Sequence, residues 1–300
     1  MVDETVRLLL QHQNSDGGWG SVKGKVSNTE CTAFAVMALE SVQPKELAPK
    51  IQNGLRWLLR QQKGDGSWPL NDVTSGGSWS TAIVLLCLSA FPEQREHALK
   101  AAEWALAQEG KRFGWIASLI VWFTGQKEVN KINMDLKGWP WAAGTFSWVE
   151  PTSYFLIGLK KMKSALRGTE IDDRIRQGEL LIYDRVCEGG GWNYGNSKIY
   201  GEALWPYPDI TALALIALQD HRNAEINIKS LQELEKNLKE VESGLALSWS
   251  IICFSLYGRN VSEWRKLLVK SFERTGFLGE TKALALSILA MTDAPQFFRI

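Results

Sequence analysis

Two stretches near the start of the chain are almost the same: residues 9–19 (LLQHQNSDGGW) and residues 58–68 (LLRQQKGDGSW). Both follow the pattern L-x3-Q-x3-G-x-W. Looser copies end at Trp115, Trp148 and Trp192. A string that recurs at intervals of tens of residues is the signature of a repeat architecture, in which each repeat is one supersecondary unit.

Each turn is followed by a segment of similar sequence, and each of these segments is predicted to be a helix. Intervals of about 35 residues, with two longer ones of about 49 and 59, fit a helical hairpin plus a loop. The predicted helices can be aligned on one residue each: Thr32, Thr81, Ala117, Thr152, Thr211, Ser248 and Thr281.

Two classes of helix alternate in this pattern. Residues 32–39 and 211–218 are apolar all round, so these helices must be buried on every side. The helix around Leu55, Leu58 and Leu59 is instead apolar on one face only. An inner ring of buried helices inside an outer ring of amphipathic helices satisfies both patterns. The sequence therefore predicts an all-α fold, a closed α/α toroid, formed by residues 1–300 as a single domain.

The repeated motif has a structural explanation. A glutamine amide near a helix end can bond to free backbone groups, glycines allow positive φ, and tryptophan buries a large flat surface. We therefore expect Trp19, Trp68, Trp115 and Trp192 to hold the fold together rather than to form a site.

Composition narrows the classes of partner. The net charge is +1, which argues against nucleic acid, because phosphate binding needs a surplus of basic side chains. The four cysteines lie far apart without CxxC spacing and are expected to be buried free thiols. No signal peptide or membrane-spanning stretch is recognisable, so a cytoplasmic protein is predicted, with peripheral membrane contact an open alternative.

The L-x3-Q-x3-G-x-W string resembles the QW motif of the squalene–hopene cyclase and protein prenyltransferase superfamily. The second copy also has Gly54 and Trp57 at the places of the longer motif. The resemblance implies a ligand cavity at the ring centre, near the N-termini of the inner helices. The residues two positions before the aligned ones would lie there, among them Glu30, Glu150 and Asp209. Carboxylates at helix starts are also ordinary caps, so both readings stand.

Asp209 lies in the string WPYPDITA, residues 205–212, which resembles the D-x-D-D-T-A string of class II terpene cyclases. The resemblance assigns Asp209 the role of proton donor to an alkene. Tyr207 and Ile210 replace the flanking aspartates of that string. Aromatic side chains could stabilise a carbocation, and the predicted substrate-binding residues are Trp79, Trp141, Trp148, Glu150, Tyr154, Trp205, Tyr207 and Glu30.

No metal or cofactor is expected. A prenyltransferase-type zinc site would need a cysteine two residues after Asp209, where Thr211 stands. The histidines His12, His97 and His221 fall on predicted outer helices or loops, where a lone histidine is usually a polar surface residue.

Three functions are consistent with these features. The first is a metal-independent terpene cyclase-like protein that binds or cyclises a hydrophobic isoprenoid, an isomerase or lyase. The second is a carbohydrate-active toroid that uses paired carboxylates such as Glu150 and Asp209. The third is a non-catalytic binding module with a degenerate site. A protein partner that completes the cavity is an open alternative, because cyclases of the hopene type pair two such units.

Overall fold

The computed structural model describes residues 1–42, 45–71, 76–111, 133, 135–166, 168, 170–292 and 295–300. These residues form twelve α-helices, numbered here in chain order. The odd-numbered helices are α1 (Val2–His12), α3 (Ala48–Gln61), α5 (Arg95–Ala107), α7 (Glu170–Asp184), α9 (Glu225–Asn237) and α11 (Ser262–Thr275). The even-numbered helices are α2 (Thr29–Val42), α4 (Ser80–Leu88), α6 (Val149–Met162), α8 (Pro208–Ala217), α10 (Gly244–Leu256) and α12 (Thr281–Met291).

The remaining regular structure is short. One antiparallel pair joins β1 (Lys198–Ile199) to β2 (Glu202–Ala203). Short 3-10 turns flank several helices, at Lys45–Leu47, Pro92–Gln94, Gln219–His221, Leu238–Glu240, Gly276–Gly279 and Pro295–Phe297.

The even-numbered helices form a closed inner ring in the order α2, α4, α6, α8, α10, α12, with α12 packed against α2. The odd-numbered helices pack around the outside, each against an inner helix. The inner helices are apolar on all sides, and every residue of α4 is buried. Outer helices such as α3 bury one face only. The predicted all-α toroid is therefore confirmed, and each helix class occupies the ring that its apolar pattern requires.

Contacts between the first and last repeats close the ring. Helix α1 packs against α12. The Nδ1 atom of His12 lies 3.3 Å from Oγ1 of Thr281, and the Thr281 amide donates to the Ser21 carbonyl at 2.8 Å. His12 is buried in this joint, which corrects the expectation of a surface histidine. His97 contacts Gln62, and His221 is exposed beside Glu179.

The tryptophan of each turn ties an outer helix to the next inner one. The Trp68 amide donates to Oγ1 of Thr81 at 2.9 Å, and its indole N–H donates to the Leu58 carbonyl at 2.7 Å. The same pair of bonds recurs at three further tryptophans, each of which is fully buried. These are Trp19 with Thr32 and Leu9, Trp139 with Thr152 and Ala105, and Trp192 with Thr211 and Ile182.

Trp139 therefore fills the place that sequence comparison gave to Trp148, and that alignment was wrong. Trp148 instead precedes α6, and its ring lies against Gly195. The predicted copy at Trp115 and the predicted helix at Ala117 lie outside the described residues.

The glutamine and glycine of the motif act as the sequence predicts. The side-chain amide of Gln13 donates to the carbonyls of Gly17 and Lys50, both at 2.9 Å. Gln62 makes the corresponding bonds at 3.1 Å. Gly17 has a φ of +94°, and a Cβ there would lie 2.8 Å from the Asn53 carbonyl oxygen. No other residue fits this turn without a shift of the backbone.

Residues 295–300 lie at the end of the ring where the inner helix α6 ends. Phe297 and Phe298 are buried, and the Phe298 ring packs on Trp249 at 5.1 Å. The ammonium of Lys161, at the end of α6, donates to the carbonyls of Gln296 and Arg299. The four cysteines are buried and free, as predicted. Within the described part of the chain, no helix is both long and apolar enough to cross a bilayer.

Candidate functional site

The N-termini of the inner helices surround a cavity of about 210 Å³ at the ring centre. Its wall combines charged and aromatic side chains. This combination is unusual because charged residues are seldom buried inside a protein unless they are paired. The lining residues are Glu30, Trp79, Trp141, Glu150, Tyr194, Asp209, Ile210, Leu213, Leu245, Trp249 and Lys282.

The carboxyl groups of the cavity belong to residues at the N-terminal ends of inner helices. Glu30, Glu150 and Asp209 each lie in the first turn of an inner helix, respectively α2, α6 and α8. A carboxylate is favourable there because the helix N-terminus carries a partial positive charge. The N-termini of these inner helices lie at the same end of the ring, so their first-turn side chains come together in the cavity.

Lys282 is the exception among these charged groups. It lies in the first turn of α12, where the helix dipole disfavours a cation, and its side chain is only 14% exposed. Its ammonium is 2.6 Å from Glu30 and 3.8 Å from Glu150. It also lies 5.8 Å from the ring centres of Phe34 and Trp79. The nearby carboxylates hold the pKa of Lys282 well above its ordinary value, so this side chain is charged.

Glu150 is the most deeply buried carboxyl group of the cavity. Burial raises the pKa of Glu150 to about 7, and the charges of Glu30 and Asp209 act in the same direction. Lys282 acts in the opposite direction, without cancelling the effect of burial. Glu150 therefore changes its protonation state near neutral pH.

Asp209 is under two opposed influences. Burial raises its pKa, whereas hydrogen bonds from the backbone, first of all from the Ile210 amide, favour the anion. The net direction is upward from the ordinary value. Desolvation thus outweighs the helix start at this residue, although Asp209 is less deeply buried than Glu150.

Aromatic rings form the apolar part of the wall. Trp79 contacts Trp141 edge to face at 5.0 Å between ring centres, and Tyr154 at 5.9 Å. Tyr154 in turn contacts Trp249 at 5.9 Å. Tyr154 is fully buried, and its hydroxyl has no hydrogen-bond partner. The π faces and the buried hydroxyl make this wall suitable for an apolar ligand that develops positive charge.

Most of the residues that sequence analysis proposed for the site do come together here. Asp209, Glu30, Glu150, Trp79 and Trp141 line the cavity. Tyr154 lies directly behind Trp79 in the aromatic wall.

Tyr154 is not itself a lining residue, and three more of the proposed residues do not line the cavity. Trp148 packs beside the start of α6, and Trp205 is 81% exposed on the surface. Tyr207 is 50% exposed and contacts the ring of Tyr194 at 5.7 Å, at the rim of the cavity. The structure therefore gives these side chains no place in the cavity itself.

Sequence analysis missed Lys282, Trp249 and Tyr194. On each inner helix it compared the position two before the aligned residue, and it added aromatic residues from the segments around Trp148 and Asp209. Lys282 and Trp249 stand one position after the aligned residues Thr281 and Ser248. That is one helical turn further on the same face, since positions three apart are neighbours on a helix. A lysine as the single charge of an apolar helix was the available signal.

A possible metal-binding cluster lies elsewhere, outside the cavity. Glu179, Asp220 and His221 lie close enough to share an ion. The ammonium of Lys160 is already 2.6 Å from Glu179 and 2.7 Å from Asp220, and it donates to the Ala217 carbonyl. This lysine neutralises the cluster, which is therefore explained as an ion-pair network.

Comparison with known sequences gives a match at the start of the chain. Residues 1–78 match the squalene-hopene cyclase C-terminal domain family. Protostadienol synthase A of Arthroderma gypseum is 39% identical over 72 residues, which are 20% of this chain and 10% of that protein. Lanosterol synthase of Mus musculus is 29% identical over 92 residues, 27% of this chain and 12% of that protein. The matched part of the chain thus spans about a tenth of the length of these relatives.

Comparison with solved structures covers the whole chain. The type II terpene cyclase MstE from Scytonema has a TM-score of 0.60 at 14% identity, with 99% of this chain and 97% of that chain covered. An α-1,6-mannanase from Salegentibacter has a TM-score of 0.62 at 12% identity, with both chains fully covered. At such identities the likeness concerns the fold. The predicted resemblance to the squalene–hopene cyclase superfamily is confirmed by sequence over residues 1–78, and the solved structures confirm the toroid fold over the whole chain.

Proposed function

We propose that this chain binds an isoprenoid in the central cavity and that a carboxylic acid of the cavity protonates an alkene of that ligand. One observation supports the proposal above all: Glu150 and Asp209, two carboxyl groups of raised pKa, line the same cavity as several aromatic rings. An acid must be neutral to donate a proton at ordinary pH, and burial provides this condition.

The aromatic wall supports the next step of such a reaction. Protonation of an alkene leaves a carbocation, and rings facing it contribute about 2 kcal/mol or more each when water is absent. Trp79, Trp141 and Trp249 offer such faces, and the Asp209 carboxylate adds negative charge. The cation is quenched when it loses a proton, so the product is an isomer of the substrate.

Two residues compete for the role of donor. The resemblance to the class II motif indicates Asp209, whereas burial favours Glu150. Neither candidate requires a metal, and we expect turnover to be unchanged by a chelator. Trp79, Trp141 and Glu30 are proposed to contact the ligand, with Tyr154 behind them.

The relatives supply context for the ligand class. MstE has been captured with geranylgeranyl dihydroxybenzoate as its substrate and with merosterolic acid A as its product. Because this chain matches only about a tenth of the two synthases, their activities do not carry over. A cavity of about 210 Å³ holds only a segment of an isoprenoid, so the rest of a longer chain would extend out of the cavity, where a protein partner could cover it.

A carbohydrate-active enzyme is the second candidate function. The Salegentibacter mannanase shares the fold and has been captured with α-1,6-mannotriose. Three carboxyl groups and aromatic platforms in one cavity would suit a sugar. The mannanase is described as inactive when two consecutive aspartates are replaced. In the cavity described here, the carboxyl groups come from three separate helices.

Ligand titration with product analysis tests the proposal. Quenching of tryptophan fluorescence would be followed with geranylgeraniol and with α-1,6-mannotriose, and the products would be analysed by mass spectrometry. We expect geranylgeraniol to bind and to give an isomer of unchanged mass, with chelator present or absent. Trp79→Leu should weaken binding, whereas Trp205→Leu, on the surface, should not.

Binding of mannotriose without binding of geranylgeraniol would contradict the proposal and favour the second candidate. Binding of neither, with no lipid co-purifying in native mass spectrometry, would favour a non-catalytic module.

A further inference from the structure

The three carboxyl groups of the cavity differ in what stabilises their charge. Glu30 is paired with the ammonium of Lys282 at 2.6 Å, in an ion pair whose side chains are only 16% and 14% exposed. Protonation of Glu30 would break this shielded ion pair. Glu30 is therefore unsuited to store a transferable proton.

Asp209 has a different source of stabilisation. It lies next to Pro208 in the first turn of α8, and the backbone N–H groups of that turn, first of all that of Ile210, oppose the rise in pKa that burial causes. It is also only half-buried, so water reaches the group. Burial raises the pKa of Asp209, but backbone N–H groups, the helix dipole and water oppose that rise, so the acid form is less favoured here than at the more deeply buried Glu150.

Glu150 has the weakest support for an anion. Its side chain is 9% exposed, and its nearest cation, the Lys282 ammonium, lies 3.8 Å away. That distance exceeds a normal hydrogen bond, and the ammonium is already engaged by Glu30. Trp79, Trp141 and Trp249 line the same cavity, so the group faces apolar surface as well as charge.

We propose that Glu150 is the acid that holds the transferable proton, and that Asp209 is the anion beside it. This inference rests on the proposed function and decides between its two candidate donors. In the step, the O–H bond of Glu150 breaks and the alkene π electrons form a new C–H bond. Glu150 is left as a carboxylate next to the carbocation. Loss of a proton from a carbon adjacent to the cation forms a new alkene, and that proton restores the acid.

All charged and titratable groups that face Glu150 in the described residues bear on its protonation. Burial raises its pKa to about 7, and Glu30 and Asp209 raise it further by repulsion, whereas Lys282 lowers it. Tyr194 lines the same cavity and Tyr154 packs against Trp79 of its wall, and burial raises the pKa of both phenols, so they stay neutral. Glu150 is therefore the group whose proton is both present near pH 6 and available.

Matched variants test the assignment. Turnover of geranylgeraniol would be measured from pH 5 to 9 in the wild-type protein, Glu150→Gln and Asp209→Asn, with the exposed Glu242→Gln as a control. We expect wild-type turnover to fall as the pH rises through about 7. Glu150→Gln should lose turnover about 100-fold or more at every pH. Asp209→Asn should keep a fraction of the turnover, with its decline shifted to lower pH, because a repulsive charge next to Glu150 is gone.

Turnover in Glu150→Gln within threefold of the wild type, with Asp209→Asn inactive, would overturn the inference in favour of Asp209. Glu150→Asp covers the case in which the glutamine variant fails to fold, since it keeps an acid and should keep partial turnover.

A second readout works without any substrate. The infrared difference between the wild-type protein and Glu150→Gln at pH 6 should contain the carbonyl band of a protonated carboxyl group, and this band should disappear above pH 8. Its absence at pH 6 would overturn the inference whatever the ligand is. Its presence without turnover would leave Glu150 as the proton holder and count against the proposed isoprenoid reaction instead.

Discussion

The part of the chain that matches a known family and the part that forms the cavity are largely different. Residues 1–78 contain the two best copies of the turn motif. The Gln and Trp side chains of these copies and the backbone conformation of their Gly residues all support the fold. Glu30 is the single cavity residue within that range. Trp79, Trp141, Glu150, Tyr194, Asp209, Trp249 and Lys282 all follow it.

In this chain, apart from Glu30, the residues that match the family and the residues that line the cavity are therefore physically separate. The turn tryptophan with its two hydrogen bonds recurs at four joints between hairpins, because each joint needs the same link from an outer helix to the next inner one. The cavity residues stand on helix starts that any polar or aromatic side chain can occupy. Substitutions in the two regions should therefore change different observables, and this can be measured.

The largest loss of stability is expected in the motif region, from Trp68→Ala. The ring is fully buried and makes two hydrogen bonds, so the free energy of unfolding should fall by about 4–5 kcal/mol. Denaturant unfolding measures the change. Trp205→Ala, at an exposed tryptophan, should stay within about 0.5 kcal/mol. Equal losses in both variants would contradict the role of the turn tryptophans.

Lys282→Met should be the most costly change in the cavity. It leaves the buried Glu30 carboxylate without its partner, at a cost of about 3–4 kcal/mol near neutral pH. The pKa of Glu150 should rise further, because Lys282 lowers it. Lys266→Met removes an exposed ion pair with Glu263 and should cost at most about 0.5 kcal/mol. If both variants lose the same small amount, the cavity ion pair does not stabilise the ring.

The pH dependence of stability should report on Glu150. Between pH 4.5 and about 7 the folded protein keeps a proton on Glu150 that the unfolded chain has lost. The free energy of unfolding should therefore decrease with rising pH across this range, by on the order of 3 kcal/mol from this group. The comparison is between wild type and Glu150→Gln, since the variant lacks this contribution. Parallel curves for the two proteins would refute it.

Gln62→Ala should have a smaller effect than either buried change. It removes two hydrogen bonds to the carbonyls of Gly66 and His97, worth about 1–2 kcal/mol together. Gln11→Ala, at an exposed position of α1, is the matched control and should be near neutral. A single cooperative thermal transition is expected for both variants, because the closed ring couples its hairpins.

Asp209→Asn should change stability least, by about 0.5 kcal/mol, because Asp209 is the second residue of α8 rather than its N-cap and the substitution removes only a favourable charge near the helix N-terminus. It should nevertheless lower the pKa of Glu150, since the Asp209 charge raises it. Carbon-13 labelling of glutamate carboxyl groups would follow that titration. An unchanged Glu150 titration would mean that the two groups are independent.

The fold could be predicted from the sequence because the repeat carries two independent signals. The alternation of all-apolar and amphipathic helices requires two concentric layers, and the motif marks the joints. The error at Trp148 arose because the turn before α6 lacks the glutamine of the motif. Trp139, which follows Gly138, was therefore not recognised as the turn tryptophan. The spacing from tryptophan to threonine was the surer guide, since Trp19, Trp68 and Trp139 each precede their threonine by 13 residues.

The site could be predicted only in part. Residues at helix starts were found because the ring geometry brings equivalent positions together. Lys282 was missed because a cation is disfavoured at a helix start, so no local rule places one there. Its position depends on Glu30, some 250 residues earlier in the chain, and such a pairing follows from ring closure rather than from local sequence. Trp205 and Tyr207 lie beside Asp209 in sequence, yet face outward.

Ring closure also has a consequence for the time course of folding. Each hairpin can form from neighbouring residues, but the joint between His12 and Thr281 unites positions 269 residues apart. Contacts of such separation form late, because the chain must first lose the entropy of a long loop. Until then α2 presents its apolar side to water, where α12 will pack. We expect a slow final phase in refolding, and aggregation through α2 is the hazard that the closed ring removes.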